Sequence, residues 1–158
     1  MAELRLSATL RSLLRAPAYL YDVHAGWMLG QRFLCLTHTG RQSGRRYRTM
    51  LEVVGHDRAT GELIVLAGLG RSAQWYRNVS AGHATEIRIG RRRFRPRYRE
   101  LAPEEAIVAL ADYERRNRWA TPLVRLVLSR LVGWRYDGSP RARARLVSEL
   151  PMVGFRPQ

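Results

Sequence analysis

The sequence predicts an α+β chain: a small barrel or strongly curved sheet of strands, flanked by helices on its N-terminal and C-terminal sides. Three observations predict it. Short apolar runs punctuated by glycine-rich turns fill residues 33 to 101, helical periodicity flanks them on both sides, and 158 residues suit one domain with its own core. The organisation that follows is a single domain 1–158, with an N-terminal helical segment 1–32, a barrel core 33–101 and a helical extension with a closing strand, 102–158.

Residues 3 to 30 fit one or two helices, with Leu4, Leu6, Leu10, Leu13 and Leu14 on one side and a break at Pro17. This basic, amphipathic stretch can either pack across a sheet or touch a membrane surface. Phe33 to Thr39 reads as a buried strand and Tyr47 to Val54 as a second. Asp57 to Gly61 is a turn leading into a third, Glu62 to Ala67. Ser72 is the candidate cap of a short helix running to Gly82. Thr85 to Ile89 and Arg92 to Leu101 form a hairpin about Gly90 and Arg91. In its second arm Arg93, Arg95, Arg97 and Arg99 share one face by period two, and Pro96 assigns the strand to an edge or a bulge.

Pro103 in a first turn, Glu104 and Glu105 beside it and Arg115, Arg116 and Arg118 at the far end define a helix oriented with its dipole. Its inward residues are Ile107, Leu110 and Ala111. A second helix, Pro122 to Val132, carries Leu123, Leu126, Val127, Leu131 and Val132 interrupted by arginines. It suits core packing, a lipid interface or the cover of an apolar pocket. The turn Asp137-Gly138-Ser139-Pro140 opens a last helix, and Met152 to Phe155 is the closing strand.

A formal charge of +15 and an isoelectric point near 11.5 raise the question of nucleic acid. All 28 basic residues are arginine, however, a uniform bias rather than a local patch, and nucleic acid ranks last among the partners. Without lysine there is no Schiff base, no pyridoxal anchor and no Walker lysine. His24, His38, His56 and His83 lack metal-site spacing and Cys35 has no thiol partner, so no metal is expected. Ser43 stands in Gly-x-x-Ser-Gly, not in a nucleophile elbow. The single cysteine, the missing signal-peptide pattern and the absence of a spanning apolar run predict a cytoplasmic protein.

What remains is the stretch from Leu36 to Thr49. Gly40 and Gly44 free the backbone to turn amides inward, Thr39 and Ser43 offer hydroxyls, and Arg41, Arg45 and Arg46 offer cations. Amides, hydroxyls and guanidinium forks together suit phosphate or carboxylate.

The run Leu36-Thr37-His38-Thr39-Gly40-Arg41-Gln42-Ser43-Gly44, with Arg48-Thr49 in the next strand, Ala67-Gly68 at a strand end and Trp75-Tyr76-Arg77-Asn78, resembles the deazaflavin-dependent nitroreductase family. The resemblance implies a split β-barrel of the FMN-binding-like kind and the coenzyme F-420, an 8-hydroxy-5-deazaflavin with a phosphodiester and a polyglutamate tail; FMN ranks behind it. It further implies hydride transfer from reduced F-420 to a quinone, enone or nitro-type acceptor. By the same resemblance the phosphate falls at Thr39, Gly40, Arg41, Gln42, Ser43 and Gly44, with Arg46 and Arg48 as supporting cations. The ring and its linker fall near Thr49, Met50, Ala67 and Gly68, with Trp75 and Asn78 behind them. A tyrosine hydroxyl, Tyr21 or Tyr76, is the candidate to orient or protonate the acceptor. The N-terminal segment and the helix Leu123 to Val132 would wall the acceptor pocket. Where many relatives carry lysine and arginine, this chain has Gln42 and Tyr47. Arg46 and Met50 replace prolines, and Gly68 a hydroxyl. The alternative is a non-catalytic split barrel that binds a deazaflavin, haem or a lipid, as a monomer or homodimer in either case.

Overall fold

The computed structural model of the protein describes residues 31–158, so the N-terminal helical segment and Tyr21 lie outside the described residues. Seven strands form one antiparallel sheet: β1 (Phe33–Thr39), β2 (Arg46–Asp57), β3 (Glu62–Leu66), β4 (Ala84–Ile89), β5 (Arg92–Phe94), β6 (Pro96–Glu100) and β7 (Met152–Pro157). Their order across the sheet is β5-β4-β1-β2-β3-β7-β6. The two outermost strands are thus consecutive in sequence and separated by Arg95 alone, which forces the sheet to curl until its ends meet. β4 and β6 approach each other there, and the result is a nearly closed split barrel.

Among the described residues four α-helices complete the fold: α1 (Gln74–Ser80), α2 (Pro103–Arg116), α3 (Thr121–Val132) and α4 (Pro140–Glu149). Side chains alternate along each strand, and β3 and β7 use that alternation to serve two cores. Leu63, Val65, Val153 and Phe155 join Leu34, Leu36, Leu51, Ile87 and Val79 inside the barrel. Ile64, Leu66 and Met152 face outward onto Leu110, Leu128, Leu146 and Val147 of the helical layer.

The ends of α2 and α4 follow ordinary capping chemistry. In α2 the Ala102 amide donates to Glu105 Oε2 at 3.0 Å, and Pro103 occupies the first turn. In α4 Ser139 Oγ accepts from the Ala142 amide at 3.1 Å. The helix α3 ends on Gly133 in the left-handed region, φ 75°.

Several boundaries differ from the sequence expectation. β2 continues past Gly55, because the glycine sits in a bulge opposite β3, where an added Cβ would lie 3.2 Å from Ile64 Cδ1. Ser72 does not cap α1. Its hydroxyl donates to the Leu69 carbonyl at 3.2 Å within a short 3₁₀ turn, and Ala73 stands at the cap without a side-chain bond. The second hairpin arm is divided into β5 and β6, with Pro96 buried at the start of the edge strand β6. Arg93, Arg95 and Arg97 are exposed, but Arg99 is not part of a solvated face. It donates to buried Glu62 at 2.7 Å and 2.9 Å and to Glu105 at 2.8 Å.

Glu62 also accepts from Arg156 at 3.3 Å, so one carboxylate ties β3, β6 and β7 together. Gly154 makes this possible, since a Cβ there would collide with Glu62 Oε1.

Candidate functional site

The turn between β1 and β2 closes on itself. The Gly40 amide donates to the Arg45 carbonyl and the Gly44 amide to the Gly40 carbonyl, each at 2.8 Å. Gly44 has φ 68°, which a side chain would strain. A Cβ on Gly40 would strike Ser43 Oγ and come within 3.1 Å of the Tyr47 ring. Ser43 Oγ accepts from the Arg45 amide at 3.3 Å and lies 3.5 Å from the Tyr47 hydroxyl. The amides of Gln42 and Ser43 have no partner among the described residues. Two donors at an exposed tip are therefore available to an acceptor from outside.

The turn is anchored from behind by Asn78 of α1, buried between the helix and β1. Its Oδ1 accepts from the Arg41 amide at 3.2 Å and from Arg41 Nη1 at 2.9 Å, and the same Nη1 donates to Gln74 Oε1 at 3.1 Å. Gln74 and Asn78 are four residues apart, hence on one face of the helix. Asn78 Nδ2 lies 3.0 Å from His38 Nδ1, and His38 Nε2 lies 3.0 Å from Thr49 Oγ1. Because Oδ1 already receives two donors, the amide must donate to Nδ1. The His38 proton then sits on Nε2 and is directed at Thr49. Burial pushes the His38 imidazole below its ordinary range. Thr39 Oγ1 lies 3.2 Å from His83 Nδ1, which joins the turn to β4.

Arg41, Arg45 and Arg46 have no carboxylate partner among the described residues, so the turn offers cationic and neutral donors with no competing anion. That donor set fits a phosphodiester.

The remaining predicted residues divide by face. The pairing of His38 with Tyr47 and of Thr37 with Arg48 puts Tyr47 and Thr49 on the barrel-interior side of β2 and Arg46, Arg48 and Met50 on the other. Tyr47 stacks on His38, ring centroids 5.8 Å apart. Thr49 and Met50 therefore do not converge from a single face. Ala67 is fully buried in the barrel core, and Gly68 faces Leu131 of α3, 3.3 Å from where a Cβ would stand. Trp75 is buried in the barrel core behind the turn. Gln42, Ser43 and Gly44 are exposed at the tip.

Tyr76 is not brought to the turn. It projects from the opposite side of α1 from Gln74 and Asn78, where its hydroxyl donates to Glu100 Oε2 at 2.6 Å and accepts from Arg71 Nη1 at 2.7 Å. Burial and Glu100 push this phenol up, which weakens it as an acid. The sequence reading missed His38 and Gln74. The available signal for His38 was a polar ring in an otherwise apolar strand, two residues before the turn.

A curled antiparallel barrel with a donor-rich turn between its first two strands, without a carboxylate partner among the described residues, defines a split-barrel protein. A family model described as F-420H(2)-dependent quinone reductase matches residues 15–123, and the chain belongs to that family. Its coenzyme is accordingly F-420. Among solved structures, a protein of unknown function from Agrobacterium tumefaciens superposes with a TM-score of 0.51 at 17% identity, covering 90% of this chain and 55% of that one. This chain thus spans little more than half of that protein, and the likeness is one of fold. An F-420-H2 dependent reductase, FDR-A, gives 0.44 at 21% identity over 80% of this chain and 95% of its own. A pyridoxamine 5'-phosphate oxidase-related, FMN binding protein from Nostoc punctiforme gives 0.47 at 15%, covering 99% and 81%. No curated protein matches the chain significantly in sequence.

Proposed function

We propose that this chain passes a hydride from reduced F-420 to a quinone, enone or nitro-type acceptor, with the coenzyme phosphodiester held by the turn Thr39 to Gly44. The observation that carries this reading is the Arg41 guanidinium, held by two neutral amides, Asn78 and Gln74, beside the Gln42 and Ser43 amides, which have no partner among the described residues. Neutral partners orient the cation without cancelling its charge. The bound deazaflavin would supply the hydride itself, and the protein contributes binding, orientation and electrostatics.

In this reading Arg46 and Arg48 support the acidic tail from the outer side of β2, and Met50 on that same side and Gly68 border the ring and linker. Gly68 touches α3, and α3 favours a quinone among the three acceptors. Trp119, Leu123, Leu126 and Val127 follow helical spacing along one face and are 75%, 60%, 51% and 49% exposed. An apolar surface beside the ring suits an apolar acceptor, and with Arg118 and Arg125 nearby it suits peripheral contact with a membrane. No helix among the described residues is long and apolar enough to cross one.

The test is titration of the purified protein with F-420, followed by oxidation of the reduced coenzyme in the presence of menadione. Saturable binding and quinone-dependent oxidation are expected. Absence of binding at tens of micromolar overturns the coenzyme assignment. Binding without turnover on a broad acceptor panel makes the chain a deazaflavin-binding protein instead.

A further inference from the structure

The Asn78 amide is committed in both directions. Its oxygen receives the Arg41 amide and guanidinium, and its nitrogen faces His38 Nδ1. This arrangement exists only while Nδ1 carries no proton. A proton there would set an N–H against the Asn78 N–H pair. If the amide rotated to answer it, Nδ2 would face the two Arg41 donors, and donors would oppose donors at that end instead. No rotamer of Asn78 satisfies both neighbours once His38 is charged.

The surroundings offer the charged ring no relief. Tyr47 of β2 lies against its face, Thr49 of β2 accepts from Nε2–H, and Asn78 links the ring to the Arg41 cation. Just before β4, His83 is engaged with Thr39. Glu86 of β4 and Arg48 of β2 both pair with Thr37, and so face the opposite side of the sheet from His38. Among the described residues no carboxylate faces the imidazole.

We propose that His38 is a positioning residue for the coenzyme: as the neutral Nε2–H tautomer it locks the Asn78 amide, and through it Arg41 and the turn, in the anion-holding arrangement, and a proton on Nδ1 releases them. This rests on the assignment of the phosphodiester to the Thr39 to Gly44 turn. Coenzyme affinity is then full above the ordinary histidine range and falls as the pH drops through the titration of the buried ring. The lowered position of that titration agrees in sign, since burial already favours the neutral form.

The experiment compares F-420 affinity from about pH 8 to about pH 5 in the wild type and in His38→Asn. Asparagine can place a carbonyl oxygen where Nδ1 stands and cannot be protonated in this range. Ionisation of the coenzyme itself is common to both proteins and cancels in their ratio. The wild type is expected to weaken about tenfold relative to the variant at the acid end, the equivalent of one charge-assisted hydrogen bond. NMR titration of the His38 ring in the wild type gives a second readout that needs no variant. Bound coenzyme should move that titration further down, by reciprocity of linkage.

Superimposable pH profiles for the two proteins, or a His38 titration unmoved by saturating coenzyme, would overturn the inference while leaving the coenzyme assignment standing. Failure of both proteins to bind F-420 at any pH would instead overturn that assignment, and this inference with it.

Discussion

Removing the Arg41 side chain is the most direct challenge to the proposed phosphate turn. The guanidinium is held at 2.9 Å by Asn78 and at 3.1 Å by Gln74, both uncharged, so its positive charge remains available to a ligand. A charge-assisted hydrogen bond to a phosphate contributes about 1.5 to 3 kcal/mol. Arg41→Ala should therefore weaken F-420 binding by about 1 to 3 kcal/mol, roughly 5- to 150-fold.

Asn78→Ala leaves the cation and its Gln74 contact but removes the shorter of its two tethers, and should cost about 1 kcal/mol of binding. Asn78 works partly through the Arg41 side chain and partly through the Arg41 amide. The double variant should consequently fall short of the summed losses by about 0.5 to 1.5 kcal/mol. Calorimetric or fluorescence titration at fixed ionic strength measures all four affinities. Urea unfolding serves as the control, because Asn78 is buried and its loss should cost about 1 to 3 kcal/mol of stability. An Arg41→Ala protein that binds as the wild type does, or strict additivity between two folded variants, would refute the reasoning.

Other outcomes follow from the same structure. Tyr76→Phe should leave turnover with menadione within about threefold of the wild type, since the hydroxyl serves Arg71 and Glu100 away from the turn; a large loss of kcat would place it at the chemistry. Gly154→Ala should destabilise by about 2 kcal/mol or more, read from the urea midpoint, because the new methyl group displaces the Glu62 carboxylate from Arg99 and Arg156. The Arg99 hydrogen bond holds the Glu62 carboxyl below its ordinary range. Its contribution is thus complete above the usual glutamate range and is lost as the pH falls through the lowered folded value. Glu62→Gln should be less stable than the wild type at neutral pH and lose less on acidification, which urea midpoints along a pH series will show.

The turn was legible because its chemistry is local. Two glycines, a serine and a row of arginines within nine residues need no partner from elsewhere to announce a tight, donor-rich turn. The capped helices were legible for the same reason, Pro103 with Glu104 and Glu105 marking α2 and Ser139 marking α4.

What escaped depends on pairing across the chain. His38 looked like a stray polar residue in a buried strand, and only the approach of Asn78 from α1 gives it a task. Gly55 resembled a strand terminator, until the register with β3 turned it into a bulge. Arg99 matched its exposed neighbours by period two, yet Glu62 on a non-adjacent strand draws it in. Ser72 had the composition of a cap, but the backbone from Gly70 turns as a 3₁₀ helix and puts it one residue early.

The position of β7 between β3 and β6 has a bearing on how this chain acquires its shape. Strands β1 to β5 are linked in a run of neighbours, but β3 and β6 cannot be bridged until residues beyond α4 arrive to lie between them. During synthesis, the outward edge of β3 and the whole of β6 would stay unpaired while three helices are made. Closing such distant contacts is slow compared with forming local hairpins. The arginines of the β5 and β6 edge then have a use before the protein is finished. Their mutual repulsion would disfavour pairing between half-built chains while β7 is still to come.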